Sequence, residues 1–143
     1  MTPAIPIAEH PDHWEIHLDG RGVTQCRVDH AFAINLWWLE EDVTIRIEQP
    51  FTLESAGRTY EFDAETRPTN LGPALGVLHK GVDRVLAWKD GRLEVFFTNG
   101  DVLTAGPHAR FEAWEIDGSM GFKFVALESG EGLAVWMPRT SPQ

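Results

Sequence analysis

The stretch "HPDHWEIH" sets His10, His13 and His17 around Glu15. On an extended strand His13, Glu15 and His17 share one face, with Trp14, Ile16 and Leu18 on the other, because successive side chains alternate. Two imidazoles and a carboxylate are a ligand set for zinc or iron. The same spacing is also what a solvated polar strand face looks like, and no matching ligand pair is evident elsewhere in the chain. The sequence therefore assigns no metal and no cofactor, and leaves His13, Glu15 and His17 as a candidate set only.

Other routes to catalysis are thinner. Asp29 and His30 adjoin at a turn, but a catalytic dyad needs a nucleophile. There is no G-x-S-x-G motif and no glycine-flanked cysteine. Cys26, the single cysteine, reads as a small buried apolar residue. Neither a P-loop nor a G-x-G-x-x-G fingerprint is present. The densest carboxylates are "EED" (Glu40, Glu41, Asp42) and "EFDAE" (Glu61, Asp63, Glu65). Paired carboxylates can do acid–base work, but the regular ligand spacing of a calcium loop is missing. No catalytic residue is assigned. The two clusters are expected on the surface, facing a basic partner.

Composition narrows the class. The chain has 143 residues, one ordinary domain, and 43% are apolar, enough for a core. With 22 acidic against 12 basic residues, the net charge of −10 repels phosphate backbones, so no nucleic-acid partner is expected. No apolar run reaches membrane-spanning length, and the N-terminus does not read as a secretory signal, so no membrane association is expected. One cysteine rules out an intrachain disulfide. A cytoplasmic protein is the expectation.

The elements that must position these residues are mostly strands. In "FAINLWWL", Phe32, Ile34, Leu36 and Trp38 fall on one face and Ala33, Asn35, Trp37 and Leu39 on the other. In "DVTIRIE", Val43, Ile45 and Ile47 alternate with Thr44, Arg46 and Glu48. This is the period of half-buried antiparallel strands. "DG" at 19–20 and 90–91, "NG" at 99–100, "SAG" at 55–57 and "DG" at 117–118 mark turns. "HWEIHLDGRGVTQCRVD" thus predicts a strand, a turn and a second strand. "TNLGPALGVLHKG" breaks the pattern. Leu71, Ala74, Leu75 and Leu78 have helical spacing, and Gly81 stands where a left-handed cap belongs, so one helix is predicted near 70–80. "FEAWEID", "GFKFVALES" and "GLAVWM" predict a C-terminal meander. Residues 1–12 read as a flexible arm, 13–138 as a single globular domain and 139–143 as a flexible tail.

The chain also overlays on itself. Residues 81–104 lie over residues 22–45 without a gap. Gly22/Gly81, Val23/Val82, Asp42/Asp101 and Val43/Val102 are identical, and the apolar phase and turns coincide. Two repeated three-stranded meanders are the expectation. The adjacent aromatics Trp37–Trp38 and Phe96–Phe97 then place one ring of each pair on the outer face. Outward aromatics often mark interaction surfaces, so Trp37 and Phe96 join the acidic residues as candidates for partner binding.

"GVTQCRVDHAFAINL", "VTIRIEQPFTLES", "LGPALGVLHKGVDRVLAWKDGRLEVFFTNGDVL", "FEAWEIDG" and "ESGEGLAVW" resemble a family of small bacterial proteins, mainly actinobacterial, known only as a domain of unknown function. The likeness spans about residues 18–137. "SGEG" stands where that pattern has adjacent glycines. The EAW and AVW elements are also similar to ones in immunity proteins of bacterial toxin systems. Neither resemblance implies catalytic residues.

Together these features predict an α+β fold dominated by antiparallel sheet. The expected role is non-enzymatic binding of a basic protein, in the manner of an immunity protein. Two alternatives stand beside it. One is a small-molecule-binding or enzymatic domain with a pocket between two sheets, lined by Trp88, Trp114, Trp136 and His108. The other is a structural homodimer using an edge strand or the aromatic patch.

Overall fold

The structure is a computed structural model that describes residues 5–38 and 41–138. Twelve strands are present: β1 (Ile7–Glu9), β2 (His13–Val28), β3 (Phe32–Trp38), β4 (Glu41–Ile47), β5 (Phe51–Ser55), β6 (Arg58–Phe62), β7 (Gly81–Trp88), β8 (Leu93–Phe97), β9 (Val102–Ala105), β10 (Trp114–Gly118), β11 (Lys123–Ala126) and β12 (Leu133–Trp136). All pair antiparallel along one path, β12-β11-β10-β4-β3-β2-β7-β8-β9-β5-β6, with β1 beside β2. The fold is mostly antiparallel β with very little helix.

The strand phase follows the sequence. Glu41, Val43, Ile45 and Ile47 of β4 are buried while the residues between them face outward. The same alternation runs through β8, where Leu93, Val95 and Phe97 are buried. The path folds over so that its two halves share one core. Phe32 of β3 stacks on Phe51 of β5 at 5.2 Å, and Trp14 of β2 meets Phe124 of β11 edge-on at 5.5 Å. Each large side chain so buried contributes about 1.5–3 kcal/mol.

β2 makes this fold possible. The "DG" at 19–20 does not reverse the chain. Asp19 (φ 49°) and Gly20 (φ 81°) adopt left-handed conformations inside one long strand. The register with β7 shifts between His17 and Arg21, so this is a bulge. Through Gly22 β2 pairs with β7, and from Val23 onward it pairs with β3. The two halves of β2 thus belong to two leaves of sheet.

Two connections cross between the leaves. β5 follows β4 but pairs with β9, and β10 follows β9 but pairs with β4. The meanders β2–β3–β4 and β7–β8–β9 meet at Gly22, which pairs directly with Gly81. Each carries a register shift at a matching point, Val23/Gln25 and Val82/Arg84. The partner register is offset by two residues throughout: Val23 pairs with Leu36 but Val82 with Phe97, not Val95, and Cys26 pairs with Ile34 but Val85 with Val95, not Leu93.

The helix near 70–80 is much shorter than its periodicity predicts. A 3-10 turn, Pro68–Asn70, precedes α1 (Gly72–Leu75), and the rest is turns. Gly72 and Gly76 each cost a helix about 1 kcal/mol against alanine. Burying Leu71, Ala74 and Val77 satisfies the apolar face without further helical turns. The left-handed residue is His79 (φ 70°), not Gly81. The stretch taken for an arm carries β1, because Ile7 and Ile16 pair across a hairpin whose turn is Pro11–Asp12. The side chain of Trp38 and all of Leu39, residues 1–4 and residues 139–143 lie outside the described residues.

Gly81 has a different task from capping. A Cβ there would lie 2.8 Å from the Gly20 carbonyl oxygen and 3.1 Å from Thr98 Oγ1. The first neighbour is backbone and cannot swing away. Gly81→Ala is expected to cost about 1–3 kcal/mol, as overpacking does, measured by urea denaturation. Gly72→Ala, which meets open space, should cost nothing. Equal stability of the two variants would refute the close approach.

Candidate functional site

The hairpin β1–β2 brings together the titratable side chains of the N-terminal stretch. His10 N–H donates to the His13 carbonyl at 2.7 Å, closing the turn. Lys89 anchors it from the β7–β8 turn: its N–H donates to the Asp12 carbonyl at 2.9 Å and its Nζ meets Glu9 at 2.6 Å. The result stacks the His10 and His13 rings at 4.5 Å. One donor atom each from His10, His13 and Glu15 lies within 4.8 Å of the others.

Hydrogen bonds orient this cluster. His13 Nδ1 sits 2.7 Å from Asp12 Oδ1. That bond is the main cause holding the Asp12 carboxyl below its usual range. Glu15 divides its oxygens: Oε1 faces His10 Nε2 at 3.7 Å, while Oε2 faces His17 Nε2 at 3.1 Å and Arg84 at 3.9 Å. The Glu15 side chain is only 16% exposed, so it is fixed rather than waving in solvent. The His13 ring rests 4.7 Å from Trp88, whose Nε1 donates to Glu94 at 2.7 Å and whose face carries the Arg92 guanidinium at 4.4 Å. Strand alternation therefore places His13, Glu15 and His17 on one face as expected. The turn, which the strand pattern does not describe, adds His10. Its signal in the sequence was the Pro11–Asp12 pair between two short runs.

The residues assigned to partner binding disperse. Trp37 is 54% exposed on β3, beside Asp42 of β4. Phe96 is half-buried, with the Arg84 guanidinium 4.7 Å over its ring. Glu40 lies outside the described residues. Glu41 points into the core and is 3% exposed, so no partner on this surface reaches it. Burial pushes its carboxyl up, against the Met120 N–H and the Arg21 charge, which pull it down. Arg21 is itself buried. Glu61 and Asp63 line an open cleft of about 520 Å³ with Thr52, Thr104 and Arg67. Asp63 is occupied locally: Thr66 Oγ1 donates to it at 2.7 Å and holds its carboxyl down. Glu65 is exposed in the turn that follows.

The aromatics proposed for an inter-sheet pocket do not converge. Trp114 is buried in the core, Trp88 belongs to the β7 outer face, and Trp136 is half-exposed on β12. His108 caps its own loop, accepting from Arg110 N–H at 3.0 Å. Burial raises the Cys26 thiol pKa, which fits an inert side chain.

Fold and site define an antiparallel β domain with a polar histidine–carboxylate cluster on one leaf and exposed aromatics on the other. The model of a family of unknown function (DUF6188) matches residues 14–137, and the chain belongs to that family. No curated protein and no solved structure matches it. Among the described residues, no helix is long and apolar enough to cross a membrane.

Proposed function

We propose that the protein is a non-enzymatic binding domain of the immunity-protein type, which docks a basic protein on the outer face of β3–β4–β10–β11–β12. One observation carries this reading. Trp37, Met120, Trp136 and Met137 are all 41–54% exposed and stand at the same end of that leaf. Two rows of paired residues run across it: Trp37 beside Asp42 in one, and Thr44, Asp117, Lys123 and Trp136 across β4, β10, β11 and β12 in the other. Tryptophan and methionine are enriched at interfaces, and methionine adapts its shape to a partner. Asp42, Glu115 and Asp117 outnumber Lys123 and Arg46 on this surface, which favours a basic partner and speeds its approach. The expected duplication draws support from the Gly22–Gly81 pairing and from the matched register shifts.

Affinity capture from the native cell should recover one stoichiometric basic protein with the wild-type chain. The double variant Trp37→Ala, Trp136→Ala should lose it while keeping its melting temperature. Equal capture by both chains would refute this surface. Self-association of the wild-type chain in sedimentation, abolished in the double variant, would instead support a homodimer.

A further inference from the structure

We propose that His10, His13 and Glu15 form a binding site for a zinc-class divalent transition-metal ion. This goes beyond protein docking and involves the opposite leaf. Two imidazole nitrogens and one carboxylate oxygen are the donor set of three-ligand zinc sites, which keep a further position open. Zinc–ligand bonds of about 2.0–2.1 Å put neighbouring donors roughly 3.4 Å apart in a tetrahedral site. The observed spread of 4.8 Å or less closes to that value by side-chain rotations that open the His10–His13 stack, so that the two in-plane lone pairs converge. The backbone need not move, since His13 and Glu15 sit on β2 and the His10 N–H bond to His13 fixes the turn.

The surrounding bonds select the right atoms. Asp12 accepts from Nδ1 of His13, which leaves the Nε2 lone pair for a cation. A carboxylate behind a ligating histidine is the usual orienting partner in metal sites. His17 and Arg84 hold Oε2 of Glu15, which leaves Oε1 turned toward His10. His17 is thus a positioning residue and not a ligand. This differs from the set that strand spacing alone suggests, because the turn brings His10 to Oε1 while His17 takes Oε2. The net charge of −10 concentrates cations around the chain.

The test is titration of the full chain, stripped with chelator, with Zn²⁺ alone by calorimetry and with Co²⁺ alone by visible absorption. One saturable site per chain is expected, with Co²⁺ d–d bands near those of nitrogen–oxygen sites. His13→Ala and His10→Ala should each abolish the bands while circular dichroism stays unchanged. Asp12→Ala should weaken Zn²⁺ binding about 10–100-fold. His17→Ala should weaken it by less than His13→Ala does, and His30→Ala and His108→Ala should leave it unchanged. The proposal is overturned if the wild-type chain shows no saturable binding, if His13→Ala binds as well as wild type, or if His17→Ala is as damaging as His13→Ala.

Discussion

Glu41→Ala is expected to destabilise the protein by about 3–5 kcal/mol, the cost of removing one partner of a buried charge pair, with Asp19 as the remaining acidic neighbour of Arg21. Arg21 and Glu41 are 6% and 3% exposed. Arg21 lies in phase with Val23, and Glu41 with Val43 and Ile45, so both enter the core, from the strands on either side of β3. Each shifts the other electrostatically: Arg21 lowers the Glu41 carboxyl, and Glu41 raises the Arg21 guanidinium. Burial outweighs the attraction at both ends. Glu41 lies above its ordinary value and Arg21 below its own.

The two partners are not equivalent. A carboxylic acid can take up a proton and become neutral, whereas a guanidinium stays charged in proteins. Arg21→Met should therefore cost less than Glu41→Ala. The double variant Arg21→Met, Glu41→Leu should recover most of the loss, since apolar replacements of buried pairs are often neutral. The sign of the pH effect follows. The folded Glu41 pKa is raised, so its contribution to stability is fully present below the unfolded value near 4.5 and is lost as pH rises through the folded value. Urea midpoints of wild type and Glu41→Gln across pH 4 to 8 should diverge in that direction. If Glu41→Ala loses under about 1 kcal/mol, the pair is not the buried contact described here.

The pair also shows what the sequence could and could not convey. Strand phase was legible because alternation records which face is buried, and it correctly put Val43, Ile45 and Ile47 inside. The same phase puts Glu41 inside, yet a carboxylate in "EED" reads as a solvated turn. The Met120 N–H and the charge of Arg21 from β2 offset part of the cost of its burial. That pairing spans the bulge at Asp19–Gly20, and "DG" is the same dipeptide whether a chain reverses or bends. The overlay did hold a trace. Arg21 aligns with Lys80, and Lys80 forms an ion pair with the buried Asp101 at 3.3 Å, although Asp101 aligns with the exposed Asp42 and not with Glu41. The exchange of β5 and β10 left no local signal, because antiparallel partners are chosen by long-range packing and not by neighbours in sequence. The helix failed for the converse reason: its periodicity was real, but it served a set of docked turns. At the candidate metal site, strand spacing found His13, Glu15 and His17 on one face, and the turn at Pro11–Asp12, which alternation does not describe, adds His10.

Trp114→Ala is the other substitution expected to cost most, about 3–5 kcal/mol by the usual cost of emptying a buried aromatic site. Trp114 is 1% exposed and is among the largest fully buried side chains. Its position makes it more than filler. It begins β10, which pairs with β4, yet its Nε1 donates 2.8 Å to the Gly91 carbonyl in the turn between β7 and β8. One side chain thus ties the hairpin of one leaf to a turn of the other, where the chain crosses between them. Trp114→Phe separates the two contributions. It keeps most of the ring volume but strands the Gly91 oxygen, which should cost about 1–3 kcal/mol. Hydrogen exchange should report the difference. The alanine variant should loosen both leaves together, because they share one core, while the phenylalanine variant should first expose the amides around Gly91. If Trp114→Phe matches wild type in stability and exchange, the cross-leaf hydrogen bond contributes nothing, and packing alone holds β10 to the turn.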